Sequence, residues 1–236
     1  MPLFFYQLII NVPFGVHFVI IMGKIKNIIF DLGGVIIDLE RRMAIDALDR
    51  LGIQDASGLL GEYEQKGPFL MLEKGEISSS ELYDILLPHC KEGTTCNDIR
   101  DAFEEFLREI PVERLQMLDR LREKGYKLYV LSNTNPIMYN HWIDNAFRND
   151  GKSINDYFDG IVTSFQERMC KPDPDLFKKV TDRYHLNPEE TLMLDDSEAN
   201  VKAARSIGLQ AKRILPSGSD SFMDVCEVLL EGNPKA

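Results

Sequence analysis

Charge is missing from one end of this chain, and the spacings by which cysteine and histidine hold metals are missing throughout. Four cysteines (Cys90, Cys96, Cys170 and Cys226) and four histidines occur among 236 residues. No two cysteines form a Cys-x-x-Cys pair, and no histidine lies at a metal-ligand spacing from one. That pattern argues against a zinc site or a disulfide framework, and the expectation is reduced thiols in a cytoplasmic protein. No lysine- or arginine-rich stripe occurs, and the formal net charge is -11. Such a surface repels a phosphate backbone, so nucleic acid is not expected as a partner. A site for any small anion must then carry its own local positive charge. No internal repeat and no low-complexity tract is present, and Gly33-Gly34 lacks the fingerprint of a nucleotide-binding glycine loop.

Residues 1–22 contain no Asp, Glu, Lys or Arg, and include the apolar runs Leu8-Ile9-Ile10 and Phe18-Val19-Ile20-Ile21. A span of about 20 apolar residues is long enough for a bilayer. Against an anchor, the segment has no basic leader and no small-residue cleavage signature, and Pro13 and Gly15 interrupt it. Lys24-Ile25-Lys26 also runs straight into a strand pattern. Three readings stand: a start of translation at Met22, a membrane anchor, or a packed accessory segment.

Five apolar runs punctuate the remainder, at 27–32, 126–131, 160–162, 191–194 and 210–215. The first four end in polar or glycine-rich tips: Asp31 with Gly33-Gly34, Ser132-Asn133, Thr163-Ser164 and Asp195-Asp196. Between them lie helical patterns. In 112–124, Leu115, Leu118 and Leu121 share one face and Gly125 supplies the stop. Asp173-Pro174 opens a second helix with Leu176, Phe177, Val180 and Tyr184 inward, and 197–207 forms a third. Alternating strand and helix predicts an α/β fold, a Rossmann-like parallel sheet with polar groups at the carboxyl ends of its strands. Residues 41–109 break the rhythm and read as helices at 42–51, 57–65, 79–87 and 98–108. The expected organisation is a core of 23–40 and 110–236, an inserted helical cap of 41–109, and an extension of 1–22. Loop character is expected for 217–221 and a frayed tail for 232–236.

The polar tips share one sheet edge, so Asp31, Ser132, Asn133, Lys171 (in Lys-Pro-Asp-Pro), Asp195 and Asp196 can converge. Each alone has an ordinary explanation, such as a turn cap or a surface lysine. Adjacent carboxylates, however, rarely end a buried strand without a cation. As a set they suit phosphoryl transfer. Asp31 supplies a nucleophilic carboxylate, Asp31 and Asp196 offer oxygen ligands to Mg²⁺, and Lys171 and Ser132 meet phosphoryl oxygens. Asn133 adds amide donors.

Phe30-Asp31-Leu32-Gly33-Gly34-Val35 resembles motif I of the haloacid dehalogenase superfamily. Leu131-Ser132-Asn133 is similar to motif II, Lys171-Pro172 to motif III, and Leu194-Asp195-Asp196-Ser197 to motif IV, with Asn200 where an acid is frequent. The resemblance runs from about Lys26 to Leu215. It implies that Asp31 is the nucleophile, that the Gly33 carbonyl and Asp196 complete a Mg²⁺ site, and that Asp195 is a neighbouring ligand or supporting carboxylate. The runs Asp-Leu-Gly-Gly-Val, Leu-Ser-Asn-Thr-Asn and Lys-Gly-Glu-Ile-Ser resemble the subgroup containing glucose-1-phosphate phosphatases. This implies a small phosphorylated metabolite as partner, such as a hexose 1-phosphate. A monomer or a homodimer is expected.

One position departs from the superfamily's phosphatases. Gly33 stands where a second aspartate serves as general acid and base, a function worth about 10²–10⁴-fold in rate. A dehalogenase proper also lacks that group but leaves the paired aspartates unexplained, and a phospho-ligand-binding protein with weak catalysis is a third reading. Asp38 and Glu40 are candidate substitute acids, although Asp38 is equally suited to shaping the cap junction. Tyr139, His141 and Trp142 could line the crevice or pack in the core. His89 is expected on the surface, and Glu73, Lys74 and Glu76 form either a substrate-facing segment or a solvated turn.

Overall fold

The computed structural model describes the strands Gln7–Ile10 (β1) and Phe18–Ile21 (β2) and residues 25–61, 64–148 and 151–232. β1 and β2 pair antiparallel, Gln7 opposite Ile21. Of residues 1–22 these two strands alone are described, and the choice among an extension, an anchor and a mislocated start otherwise lies outside the described residues. No helix of the described residues is long and apolar enough to cross a membrane.

The main sheet is built from Asn27–Phe30 (β3), Lys127–Ser132 (β4), Gly160–Thr163 (β5), Thr191–Asp195 (β6) and Gln210–Arg213 (β7). Its order is β5-β4-β3-β6-β7, and every pairing is parallel. The central strands are covered on both faces, which is why they read as unbroken apolar runs rather than alternating ones. Ile28, Phe30, Leu128, Val130, Leu192 and Leu194 enter one hydrophobic cluster. Ile29, Tyr129, Leu131 and Met193 enter the other, as the two-residue period of a strand requires.

The first face is covered by the helices Val112–Lys124 and Phe222–Gly232. Leu115, Leu118, Leu121, Phe222, Val225 and Leu229 are all buried there. The second face takes the helices Pro174–Arg183 and Glu198–Ser206, through Leu176, Phe177, Val180, Val201 and Ala204. Asp173 caps the first of these by accepting from the Asp175 amide, with Pro174 in the first turn, as the sequence leads one to expect.

Between β3 and Val112–Lys124 the described residues form the helices Arg41–Leu51, Ala56–Leu59, Gly67–Glu73, Ser79–Leu86 and Cys96–Glu104. The helix predicted over 57–65 is interrupted, and that predicted over 98–108 begins earlier. Thr95 and Asp98 form a capping box that fixes its first turn. Gly67–Glu73 is a further helix, although it opens on a turn-like Gly67-Pro68 pair. Its Phe69 stacks on Phe103 of Cys96–Glu104, ring centres 4.8 Å apart. The chain enters and leaves this insertion side by side, with the Arg108 amide donating to the Asp38 carbonyl and the Glu40 amide to the Phe106 carbonyl.

Candidate active site

The strand order reverses direction between β3 and β6, and a crevice opens at such a point outside the carboxyl ends of the strands. Asp31 follows β3 there, its amide donating to the Leu194 carbonyl, so it stands level with Asp195 on the neighbouring strand. β4 delivers Ser132 and Asn133 to the same edge. Fold topology thus gathers residues more than a hundred positions apart.

Lys171 sits at the centre and is 4% exposed. Its Nζ lies 2.8 Å from Asp31 Oδ2 and 2.7 Å from Asp195 Oδ2. Burial alone would lower the pKa of this lysine, but the carboxylates of Asp195 and Asp31 outweigh that and hold it above its ordinary value. Asp31 Oδ1 accepts from the Leu32 amide at 2.7 Å, which fixes its carboxylate plane. Asp195 is completely buried. Its Oδ1 accepts from the Ser197 amide and from Asn200 Nδ2, each at 2.9 Å. Both Asp195 oxygens are therefore engaged in holding Lys171 and the start of Glu198–Ser206. Asn200, in place of an acid, supplies one of the donors.

Asn133 turns out to be tied to the lysine segment in both directions. Its Nδ2 donates to the Lys171 carbonyl at 3.0 Å and its Oδ1 accepts from the Lys171 amide at 2.8 Å. Ser132 is buried and, among the described residues, its hydroxyl makes only a long 3.4 Å contact to the Asn133 carbonyl.

Carboxylate oxygens of Asp31, Asp195 and Asp196 lie within 4.8 Å of one another. Burial, assisted by Asp195 and Asp196 and opposed by Lys171, pushes Asp31 up to about 7. Burial and Asp195 likewise push Asp196 up to about 6. One lysine does not offset three carboxylates. The site is therefore short of positive charge, and an oxygen donor set of this kind fits a hard divalent cation.

The two glycines after Asp31 have separate reasons. Gly34 adopts a φ of 71°, and a Cβ there would collide with the Asp196 carboxylate. A Cβ on Gly33 would come within 3.0 Å of Leu39 Cδ1. The space beside the missing second aspartate is thus bordered by an apolar side chain. Neither candidate substitute acid lines the cavity at Asp31. Asp38 is salt-bridged to Arg114 at 2.7 Å and Glu40 is exposed. Both line a larger cavity of about 690 Å³ that also touches Asp196.

A narrow cavity of about 80 Å³ adjoins Asp31, Asn133, Lys171 and Asp196. It also touches three residues of the insertion, the polar Gln65 and Glu73 and the apolar Phe106. Glu73 is 7% exposed, and burial pushes it up to about 7, opposed by Cys170 and Lys171. Reading Glu-Lys-Gly-Glu as a possible solvated turn did not fix this placement. The available signal is Gly75, which stands at φ 61° and where a Cβ would collide with the Phe165 carbonyl. Tyr139, His141 and Trp142 pack elsewhere, Tyr139 against Phe165 and His141 Nδ1 2.8 Å from Glu104. His89 is exposed, and all four cysteines are free.

Residues 25–208 match the model of the haloacid dehalogenase-like hydrolases. The D-ribitol-5-phosphate phosphatase of Bacteroides thetaiotaomicron is 37% identical over 186 residues, covering 79% of this chain and 90% of that protein. The glyceraldehyde 3-phosphate phosphatase of Pyrococcus abyssi is 30% identical over 202 residues, 79% of each chain. Among solved structures, a variant of a HAD family enzyme from B. thetaiotaomicron, in complex with magnesium and inorganic phosphate, superposes with a TM-score of 0.78. It is 35% identical and covers 82% of this chain and 96% of its own. With four motif segments converging on one crevice and a family match over most of its length, the chain belongs to the haloacid dehalogenase-like hydrolases.

Proposed function

We propose that the protein is a Mg²⁺-dependent phosphatase of small hydroxylated phosphoesters, working through an aspartyl-phosphate on Asp31. The observation that carries this reading is Lys171 buried between Asp31 and Asp195 beside a third carboxylate. That arrangement leaves an oriented nucleophile next to a site in need of a cation. The relatives' sugar-phosphate and polyol-phosphate substrates support the substrate class, and the magnesium and phosphate in the similar structure support the cofactor.

In this reading Asp31 Oδ2 attacks phosphorus while the bond to the leaving oxygen breaks, and water then attacks phosphorus to release phosphate and regenerate the carboxylate. Lys171 holds Asp31 in place and offers its ammonium to a phosphoryl oxygen, and the Ser132 hydroxyl is positioned to meet another. Asn133 fixes the Lys171 backbone. Asp31, Asp196 and the Gly33 carbonyl would hold Mg²⁺, with Asp195 in support. The ion, when bound, offsets negative charge on the transferring group. The helical insertion 41–109 acts as a cap over the crevice, excluding water from the first step.

The test is phosphate release from a panel spanning ribitol 5-phosphate, glyceraldehyde 3-phosphate and hexose 1-phosphates, with and without Mg²⁺. Release should require Mg²⁺ and fall by at least about 10³-fold in Asp31→Asn, because the nucleophile is lost. Turnover surviving in that variant contradicts the reading.

A further inference from the structure

The insertion presents hydrogen-bond acceptors to the crevice that the protein itself leaves largely unmatched. Among the described residues, three buried side-chain atoms lack a hydrogen-bond partner: Gln65 Oε1, Arg108 Nη2 and Thr134 Oγ1. Two of these residues, Gln65 and Thr134, line one narrow cavity of about 70 Å³ together with Glu73, Ser132 and Gly33. Gln65 and Glu73 also line the adjoining cavity that contains Asp31 and Lys171. Glu73 has one side-chain hydrogen bond among the described residues, a long 3.7 Å contact from the Cys170 thiol to Oε1. Buried polar groups are as a rule satisfied, so acceptors left open beside a reaction centre point to a ligand that brings donors.

We propose that Gln65 and Glu73 select the substrate by accepting hydrogen bonds from hydroxyl groups on the leaving-group carbons beside the phosphoester. This rests on the phosphatase reading of the same site. Direction follows from the geometry. Lys171 and Asp31 claim the phosphoryl end, and the space next to Gly33 is bordered by Leu39, which offers no polar atom. Besides the Thr134 hydroxyl, the unmatched acceptors for the rest of the molecule then come from the insertion. Gly75 against Phe165, and Phe69 stacked on Phe103, fix the helix that carries Glu73. Its carboxylate therefore stands at a set place rather than on a free arm. A carboxylate there also disfavours leaving groups bearing a second phosphate or a carboxylate, so the class selected is a neutral polyol or sugar phosphoester.

The experiment compares kcat/KM for glycerol 3-phosphate and propyl phosphate, which share a three-carbon chain and differ in hydroxyl groups. It uses the full chain with Mg²⁺. The wild type is expected to prefer glycerol 3-phosphate by about 100-fold or more, since a site built around substrate hydroxyls rejects an analogue that lacks them. Glu73→Leu and Gln65→Leu should each cut that ratio by about tenfold or more. Glu73→Gln, which keeps an acceptor, should restore most of it. Cooperative thermal unfolding of each variant verifies the fold. A wild type without the preference overturns the proposal, as does an unchanged ratio in both leucine variants. Absence of Mg²⁺-dependent release of either ester from the wild type, with Asp31→Asn no different, would instead bring down the phosphatase reading on which the proposal stands.

Discussion

At the residue scale the site is governed by an imbalance of charge. Lys171 is buried with two carboxylates in direct contact and Asp196 close by. Asp31 stands at about 7 and Asp196 at about 6, both raised, and burial is the largest cause. A carboxyl whose pKa is raised by folding favours the fold below its ordinary range and loses that contribution as pH climbs through the raised value. Without cation, these two groups therefore cost the fold stability as pH passes from about 4 to about 7. A divalent ion binds the ionised forms and competes with protons. The rise in Tm on adding Mg²⁺ should accordingly be larger near pH 8 than near pH 5.5, and differential scanning fluorimetry at the two values checks this. Equal shifts would mean that Asp31 and Asp196 do not hold the ion. The sequence singles out Asp31, Asp195 and Asp196 as carboxylates at the ends of apolar runs and Lys171 through its Lys-Pro-Asp-Pro segment, and the fold brings these four together. Sequence alone does not separate their tasks. That Asn133 fastens a backbone, and that Asp195 has both oxygens committed, depends on contacts formed across the sheet.

At the scale of elements, the five strands of the main sheet were legible because double-sided burial leaves a continuous apolar run and a polar tip. The helix Phe222–Gly232 follows a loop-like run and is signalled only by Phe222, Val225, Cys226 and Leu229 recurring at helical spacing. The insertion was legible as helical but not in its register. Gly67–Glu73 opens on Gly-Pro, a pair that reads as a turn, and its burial comes from contacts with Phe103 and Phe165 remote in sequence. Gly75 is the point at which this element meets the core. Gly75→Ala imposes a side chain at a positive φ and drives it into the Phe165 carbonyl. The expected result is a loss of kcat/KM of about tenfold or more with a cost in stability of about 1–3 kcal/mol. Steady-state kinetics and urea unfolding measure the two. A variant as active as the wild type would show that the placement of Glu73 does not matter to turnover.

The whole molecule carries a formal net charge of -11, while the reading asks it to take up phosphoesters, which are anions. The long-range field then opposes association, and attraction is confined to the crevice by Lys171 and the bound cation. Screening weakens the opposing long-range part first, because the Debye length falls to about 8 Å at physiological ionic strength. Raising monovalent salt from low to physiological levels should therefore increase kcat/KM for a phosphoester about two- to threefold, at saturating Mg²⁺. A steep fall with salt would reveal an electropositive approach to the site that the charge distribution does not provide. The insertion belongs to this scale as well. Its incoming and outgoing chains pair at Asp38–Arg108 and Glu40–Phe106, and Glu104 meets His141 of the core at 2.8 Å.

The central claim is that Asp31 takes the phosphoryl group. Rapid acid quenching during turnover with Mg²⁺, followed by intact-mass and peptide mass spectrometry, tests it most directly. An acyl phosphate that appears within the first turnover, maps to Asp31 and is absent from Asp31→Asn is the expected result. Steady release of phosphate with no phosphoenzyme under any quench, together with an active Asp31→Asn variant, would contradict it.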